Sequence, residues 1–572
     1  MGAIFHVLRK KLHYVGPVAV EAKFFKHIGT TWHQFAVWAD RKIGYAARCL
    51  LWKRRKTTSN QVMFFPFSHT VGCNLKYISD ELIRRQAPLE IYWSVSNPNT
   101  KLDACEIASK EMYVSERVRR LVTGEKVGGR KLAYWQELWE KSAADYEAAS
   151  YEKAVRSYQA AVSFARSRME VSKPSPLPVT LNSDSEAGAA SSGGLVTAIV
   201  CGADEICEGS YTLLRAADGT QKLLVFEAAP SPQELNDAAQ VQTIQSYIEQ
   251  HVHFVKTNLY AYFEAAATSR VLITNSLLGD KFYPFPTRKN QIIAQTWHGS
   301  LGIKRFDPAH YNTNVTWPVA AKRSGKLTTH IISNSDFEDR VFRETFWQNT
   351  PILKYGHARN DIFFPQSAGV REYLRREFCR KRGLSGEIRF ALYAPTFRDD
   401  HNFAVYDLDA EQTIRALEER FGGTWKLLIR YHDNDKKNES KKNTVKSPDV
   451  IDVSKYPDMQ SLLAFTDCGI TDYSSWIYDY VLMRKPGFIF AMDRDHYNNE
   501  RGFYFKLEDT PFPVAVNSDE LEEKILGFDE DLFQRRVTEF LSDKGCMDDG
   551  NASARIADQV MEWCREASTE KR

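Results

Sequence analysis

The sequence predicts an α/β protein built on two parallel β-sheets, because strand-like and helix-like segments alternate along much of its 572 residues. Short apolar runs bounded by turn residues recur along the chain, and apolar residues at helical spacing separate several of them. A chain of this length also exceeds what one hydrophobic core accommodates. We therefore expect at least two domains.

The first alternating unit starts at residue 61. "QVMFFPF" (61–67) and "LEIYWSV" (89–95) are typical of strands, and "NLKYISDELIRR" between them has helical spacing. This strand–helix–strand order opens a parallel sheet. The alternation resumes with "LYAYFEAAATSRVLITNS" (259–276), a helix followed by a strand.

An interruption separates these two stretches, from about residue 97 to residue 253. It holds a charged helical stretch (111–171), a low-complexity linker (172–194) and the strand-like runs "LVTAIVCGA" and "KLLVFEAA". We interpret it as an insertion in the first domain.

The second half of the chain continues the alternation with further strand-like runs. They are "QIIAQTW", "HIISNS", "FALYAPT", "WKLLIRY", "DCGIT" and "PGFIFAM". Two sets of such units predict two Rossmann-like domains facing a central cleft, with ligands at the carboxyl ends of the strands. The predicted boundaries are 58–325 for the first domain, 326–545 for the second and 546–572 for a C-terminal helix.

Residues 1–57 predict short amphipathic helices with a basic face. From Arg9 to Lys56 the chain carries twelve lysines and arginines against only Glu21 and Asp40. Basic charge beside aromatic and aliphatic residues suits a helix lying on an anionic membrane surface. Helices packed on the protein's own core, with a solvated basic face, are the alternative.

The composition is that of a soluble globular protein, with 43% hydrophobic and 26% charged residues and a net charge of +3. Its nine cysteines form no CxxC pair, which favours reduced thiols in a cytoplasmic protein over a zinc site. No run approaches the ~20 apolar residues that span a bilayer. We expect a cytoplasmic protein that contacts an anionic membrane surface, with no nucleic-acid partner.

Polar residues follow the strand "QIIAQTW". His298 comes next, beside Gly299 and Ser300, and an imidazole suits general-base chemistry near neutrality. A structural or capping role for this histidine is the alternative. Lys304 follows and could neutralise an anionic substrate.

Other strand ends in the second half also carry polar residues. "GHARND" supplies Arg359, which can grip a phosphate, and "LYAPTFRDD" places Thr396 beyond another strand. "LLIRYHDND" places Arg430 and His432 at alternate positions, so both could point into one site.

The segment "ITDYSSWIYDY" (470–480) places Ser474 and Ser475 at the mouth of a helix. The first helical turn has unpaired N–H groups that can bind phosphate, and serine there can also cap the helix. Together with the other strand ends, the pattern favours a pyrophosphate site in which these serines both bind phosphate and cap. Asp493 and Asp495 could suggest a divalent metal, but Arg494 and Arg501 lie among them, so a metal is an open alternative without support. We expect no required cofactor.

The chain resembles the CDP-glycerol glycerophosphotransferase family of teichoic acid and capsule polymer synthesis. The segments that carry the resemblance, in the family's order, are "QTWHGSLGIKRF", "SNSDFEDRVFRETF", "GHARNDIFF", "LYAPTFRDD", "RYHDND", "ITDYSSWIYDY" and "RGFYF". The resemblance implies a GT-B fold, peripheral attachment to the cytoplasmic membrane, and transfer of glycerol phosphate from CDP-glycerol to an acceptor hydroxyl with release of CMP.

Carried over by motif, the resemblance implies a role for each matched residue. His298 would be the base on the acceptor hydroxyl, His432 would contact the donor phosphates, and Ser474 and Ser475 would bind phosphate. The other substrate-binding positions that we assign are Ser300, Lys304, Arg359, Asn360, Asp361, Thr396, Asp399, Arg430, Asp472 and Arg501.

Two departures from the family pattern leave donor and acceptor open. "HGSLGIK" stands where "HGTPLK" is common, and "RYHD" places Asp433 where the family has proline. The same fold with CDP-ribitol or another activated donor, and a non-catalytic membrane-associated scaffold, are the alternatives. The sequence does not distinguish a primase from a polymerase.

Overall fold

The computed structural model describes most of the chain outside the N-terminal region and much of the predicted insertion. The described residues are 56–67, 69–124, 195–196, 209–215, 221–227, 231–257, 260–278, 285, 287–299, 301–302, 305, 316–396, 408–431, 447–494 and 502–569. Residues 1–55 of the predicted membrane-contact region (1–57) and the predicted linker 172–194 lie outside the described residues. Within the described part of the chain, no helix combines the length and apolar character needed to span a membrane.

The strands alternate with helices through most of the described chain. In chain order the strands are β1 (Thr58–Phe65), β2 (Glu90–Val95), β3 (Leu195–Val196), β4 (Gly209–Arg215), β5 (Gln221–Glu227), β6 (Val252–Lys256), β7 (Ser269–Thr274), β8 (Ile292–Gln295), β9 (His330–Ser333), β10 (Ile352–Lys354), β11 (Arg389–Tyr393), β12 (Trp425–Ile429), β13 (Val450–Asp452), β14 (Cys468–Thr471), β15 (Gly487–Phe490) and β16 (Val514–Ala515). The α-helices are α1 (Cys73–Arg84), α2 (Ala104–Ala108), α3 (Glu116–Thr123), α4 (Pro232–His251), α5 (Tyr260–Thr268), α6 (Thr316–Leu327), α7 (Asp336–Glu344), α8 (Ala368–Arg382), α9 (Ala410–Phe421), α10 (Met459–Ala464), α11 (Trp476–Tyr480), α12 (Ser518–Leu526), α13 (Glu530–Asp543) and α14 (Ala552–Thr569).

Two parallel sheets organise the larger of two compact units. One sheet has the strand order β10-β9-β8-β7-β1-β2-β6, and the other has the order β13-β12-β11-β14-β15-β16. Every residue of β7, β14 and β15 is buried, as expected for central strands of parallel sheets covered on both faces. The predicted α/β class with parallel sheets is confirmed.

The second compact unit comprises Glu111–Thr243 and Cys379–Ser385. It contains an antiparallel sheet of β3, β4 and β5. These strands fall within the segment predicted as an insertion, and β3 and β5 coincide with its two strand-like runs.

Sheet membership differs from the predicted boundary at residues 325/326. β9 pairs with β8, and β10 pairs with β9, so the first sheet extends to Lys354. An apolar run identifies a strand but not the sheet it joins, because the pairing partner is set by tertiary packing. The predicted C-terminal helix is α14, which returns to the first sheet: Arg270 Nε on β7 donates to the Trp563 carbonyl oxygen at 3.2 Å.

Gly487 in β15 provides a test of the packing in the second sheet. A Cβ atom at this position would lie 2.8 Å from the buried Phe512 ring. Gly487→Ala should therefore lower the free energy of unfolding by about 1–3 kcal/mol through overpacking. Gly386→Ala is the matched control, because no atom lies within 4 Å of the added methyl group. Denaturant unfolding compares the two variants, and equal stabilities would contradict the packing described here.

Candidate functional site

A cleft of about 290 Å³ lies at the carboxyl ends of both parallel sheets. Loops after β1, β7 and β8 contribute Phe67, Asn275 and His298 to its lining. The segment after β14 contributes Ser474 and Ser475. The cleft thus occupies the position where open α/β sheets bind their ligands.

The backbone at the end of β8 fixes the position of His298. The preceding residue, Trp297, adopts a left-handed conformation with φ of 51°, and its N–H donates to Gln295 Oε1 at 2.9 Å. Its indole packs edge-on against buried Trp347, with ring centroids 5.2 Å apart. Such strain persists only where packing over-determines it, and it is concentrated at functional sites.

The imidazole of His298 is held in one tautomer. Its Nδ1–H donates to the Asn275 carbonyl oxygen at 2.6 Å, which leaves Nε2 as the acceptor of the neutral ring. The Phe67 ring stacks on it at a centroid distance of 4.9 Å. Burial lowers the pKa of His298 to about 4, with the positive charge of Arg359 acting in the same direction and the bond to Asn275 opposing it. His298 is therefore neutral at pH 7 and able to accept a proton.

Arg359 is a buried cross-link beneath His298. Its Nη1 donates to the His298 carbonyl oxygen and its Nη2 to that of Gly299, both at 2.8 Å. Nη2 also lies 2.9 Å from the carboxylate of Asp479, which is equally buried. Although burial alone would lower the pKa of Arg359, Asp479 raises it above its ordinary value. Arg359 thus positions the turn that carries His298. It also lines the cleft, and its contact with a phosphate stays a prediction.

Asp479 connects this cross-link to the helix that follows the two serines. It lies on α11 and also accepts from Gln460 Nε2 at 3.0 Å. Arg359 and Asp479 together join the end of β8 in the first sheet to the helix after β14 in the second.

Ser474 and Ser475 line the cleft directly before α11. Ser475 occupies the N-cap position with φ of −66° and ψ of −14°, but its side chain makes no capping hydrogen bond. The expected capping role is therefore absent for this residue. The predicted phosphate-binding role remains compatible with where both serines lie.

Asn360 and Asp361 face away from the cleft, although we predicted them as donor-binding residues. Asn360 Nδ2 donates to Asp548 Oδ2 at 2.7 Å. The Asp361 carboxylate accepts from the Ala552 and Ser553 backbone N–H groups at 2.9 and 2.7 Å. Neither residue lines the cleft. Their contacts hold the start of α14 instead of a ligand.

Asp472 and Thr396 connect two of the loops below the cleft. The Thr396 N–H donates to the Asp472 carboxylate at 2.8 and 3.0 Å, which joins the segments after β11 and β14. Buried Asp472 therefore has a structural partner where we predicted a substrate contact. Arg430 does line the cleft, with Nη1 donating to the Tyr456 carbonyl oxygen at 2.6 Å.

Several predicted site residues lie outside the described residues, and their assignments stay predictions. They are His432, Ser300, Lys304, Asp399 and Arg501. Among the described residues, no group of three or more histidines, cysteines and carboxylates could hold a metal ion. Asp493, which we considered for a metal, accepts from the Tyr473 hydroxyl at 2.8 Å.

Comparison with known proteins places the chain in a family. Residues 216–562 match the model of the CDP-Glycerol:Poly(glycerophosphate) glycerophosphotransferase family. The chain belongs to this family.

Relatives with known roles include both polymerases and transferases. A teichoic acid poly(glycerol phosphate) polymerase of Staphylococcus epidermidis is 30% identical over 322 residues, which are 54% of this chain and 43% of the polymerase. A teichoic acid glycerol-phosphate transferase of Staphylococcus aureus is 26% identical, covering 54% of this chain and 81% of that protein. A teichoic acid poly(ribitol-phosphate) polymerase of Bacillus spizizenii is 28% identical, covering 52% and 47%. The chain thus spans less than half the length of the two polymerases.

Solved structures of a wall teichoic acid polymerase share the fold. A structure of the wall teichoic acid polymerase TagF aligns with a TM-score of 0.57 and 18% identity over 94% of this chain and all of the other. A TagF structure obtained after a soak with CDPG aligns with a TM-score of 0.58 and 18% identity, covering 93% and 96%. These likenesses confirm the GT-B-like arrangement of the two parallel-sheet regions.

The lining of the cleft includes residues that the sequence did not predict. Asn275 follows β7 and Phe67 follows β1. Both could have been predicted from their positions at the ends of strands. The sequence around Asp458 does not predict a place in the cleft, because its partners lie more than 380 residues away in the chain. Its carboxylate accepts from the Cys73 N–H and the Tyr77 hydroxyl, each at 2.9 Å.

Removing the carboxylate of Asp479 tests the cross-link. Asp479→Ala leaves the Arg359 guanidinium buried without its counter-ion, so the free energy of unfolding should fall by about 3–5 kcal/mol. Asp336→Ala is the control, because the ion pair of Asp336 with Lys354 is exposed and should be worth less than about 1 kcal/mol. Denaturant unfolding measures both, and a loss at Asp479 no larger than that of the control would contradict the cross-link.

Proposed function

We propose that this protein transfers glycerol phosphate from CDP-glycerol to a hydroxyl of a membrane-linked acceptor and releases CMP. The observation that carries the proposal is the pairing, in one cleft, of a neutral histidine on one wall with two serine hydroxyls on the other. Membership of the glycerophosphotransferase family and the named roles of its relatives support it.

The first requirement of the reaction is a base near the acceptor hydroxyl. An alcohol is a poor nucleophile until its proton is accepted, and His298 Nε2 has a free lone pair for that proton. The acceptor oxygen then bonds to the phosphorus that carries glycerol. The bridging P–O bond of the pyrophosphate breaks, and CMP leaves.

The second requirement is stabilisation of charge on the transferring phosphoryl group. Preorganised donors and cations supply this in phosphoryl transfer. Arg430, Ser474 and Ser475 lie on the wall formed by the second sheet and would contact the donor phosphates. His432 would add a further contact, as the family motif implies.

The donor and the location of the protein belong to the same proposal. One of the relatives is a poly(ribitol-phosphate) polymerase, so CDP-ribitol is the second donor to test. The basic residues between Arg9 and Lys56 would hold the protein on the anionic cytoplasmic face of the membrane.

Release of CMP tests the reaction and the base together. Purified protein should release CMP from one of CDP-glycerol and CDP-ribitol when membrane extract supplies the acceptor. His298→Ala should lower turnover at least about 100-fold, within the range for loss of a general base, while the Kd for donor stays unchanged. His251→Ala is the control, since this partly exposed histidine contacts Glu90 and is absent from the cleft lining.

The outcomes separate the alternatives. Full activity in His298→Ala would exclude the assigned base. Absence of donor binding by the wild-type protein would favour the non-catalytic scaffold.

The pH dependence of kcat/KM gives an independent test of the base. His298 acts only when neutral, and its pKa of about 4 keeps it neutral throughout the range above pH 5. The acidic limb of kcat/KM should therefore bend near pH 4 instead of near 6.5, the ordinary histidine value. A limb centred near 6.5, in protein that recovers full activity on return to pH 7, would contradict the lowered pKa of the partly exposed His298.

A further inference from the structure

The segment that carries Arg359 is held from two opposite sides. It is a 3₁₀ turn, Ala358–Phe363, that follows β10. Arg359 reaches from it towards the His298 turn and Asp479, whereas Asn360 and Asp361 reach towards residues 548–553 near the C-terminus. The same short turn therefore links the cleft to a segment almost two hundred residues further along the chain.

Asp548 is the central acceptor on that far side. Its Oδ1 accepts from the His357 backbone N–H at 2.7 Å, and its Oδ2 accepts from Asn360 Nδ2 at 2.7 Å and Asn334 Nδ2 at 2.8 Å. Two of these donors, His357 and Asn360, lie on either side of Arg359 in sequence. Holding both of them restricts the movement of the Arg359 backbone.

The backbone at Gly356 lies close to the Asp548 carboxylate. Gly356 has a φ of +85°, and a Cβ atom there would lie 2.8 Å from Asp548 Oδ1. Glycine is the residue that tolerates both this conformation and this contact. On the next residue, His357 Nε2 lies 2.9 Å from Glu338 Oε2, with both side chains buried. The turn is thus fully packed between the cleft and Asp548.

We propose that Asp548 is a positioning residue for the transfer reaction and acts on His298 through Arg359. Its hydrogen-bond partners His357, Asn360 and Asn334 do not line the cleft, whereas Arg359 does. Its carboxylate fixes the backbone on either side of Arg359, whose guanidinium then fixes the carbonyl groups of His298 and Gly299. The kinetic part of this inference rests on the proposed transferase function.

Kinetics of two substitutions test the role in catalysis. Asp548→Ala removes all three acceptor contacts, and Asp548→Asn preserves the volume and one carbonyl oxygen. We expect kcat to fall about 10- to 100-fold in Asp548→Ala and less in Asp548→Asn, with donor Kd within twofold of wild type, because misplacement of a catalytic group costs rate. Asp549→Ala is the matched control, because the carboxylate of Asp549, the next residue in the chain, pairs with Arg555 at the surface.

A double-mutant cycle distinguishes action through Arg359 from general destabilisation. Arg359→Lys and Asp548→Asn should together reduce kcat by clearly less than the product of their separate effects, as coupled residues do. Multiplicative effects, or an unchanged kcat in Asp548→Ala, would overturn the inference.

Hydrogen exchange tests whether Asp548 positions the His298 turn, and it requires no activity measurement. Peptides that contain residues 296–299 should exchange their amide protons faster in Asp548→Asn than in wild type, and at the wild-type rate in Asp549→Ala. Unchanged exchange in Asp548→Asn would overturn the positioning role. Absence of CMP release by the wild-type protein would overturn the proposed function alone, because the exchange result stands independently.

Discussion

The ion pair between Arg359 and Asp479 is the interaction on which the geometry of the cleft depends. It joins the turn after β8 to the helix after β14, so it connects the elements that carry His298 and the two serines. Both side chains are buried, and a buried charge without its partner is strongly unfavourable. This ion pair therefore holds the two walls of the cleft together with little tolerance for displacement, beside the contacts of Asp458 with Cys73 and Tyr77.

This arrangement separates the positioning of groups from the binding of phosphate. Arg359 donates to two carbonyl oxygens and a carboxylate, so its charge is already compensated within the protein. Burial lowers the pKa of His298 to about 4, and the charge of Arg359 acts in the same direction. In the proposed reaction, Arg430 and the two serine hydroxyls before α11 would contact the donor pyrophosphate instead. The proposal thus assigns proton transfer to one wall of the cleft and anion binding to the other.

Much of the fold and part of the site were predictable from local sequence. Buried parallel strands are continuous apolar runs, and ligand sites follow strand ends, which led to His298, Arg430 and the serines. The contacts of Arg359, Asn360 and Asp361 were not predictable, because the partners described above lie 60 to 192 residues away. The same reason explains why the first sheet continues beyond residue 325: β9 is an ordinary apolar strand, and it joins this sheet by pairing with β8.

A crystal structure with CDP-glycerol bound would show whether the two walls of the cleft have the assigned roles. We predict donor phosphates within hydrogen-bond distance of the Ser474 and Ser475 hydroxyls, with His298 Nε2 facing the phosphorus that carries glycerol. We also predict that Arg359 keeps its contacts with Asp479 and the His298 carbonyl oxygen. A complex in which Arg359 leaves Asp479 to grip the phosphates, or in which the pyrophosphate binds away from both serines, would contradict it.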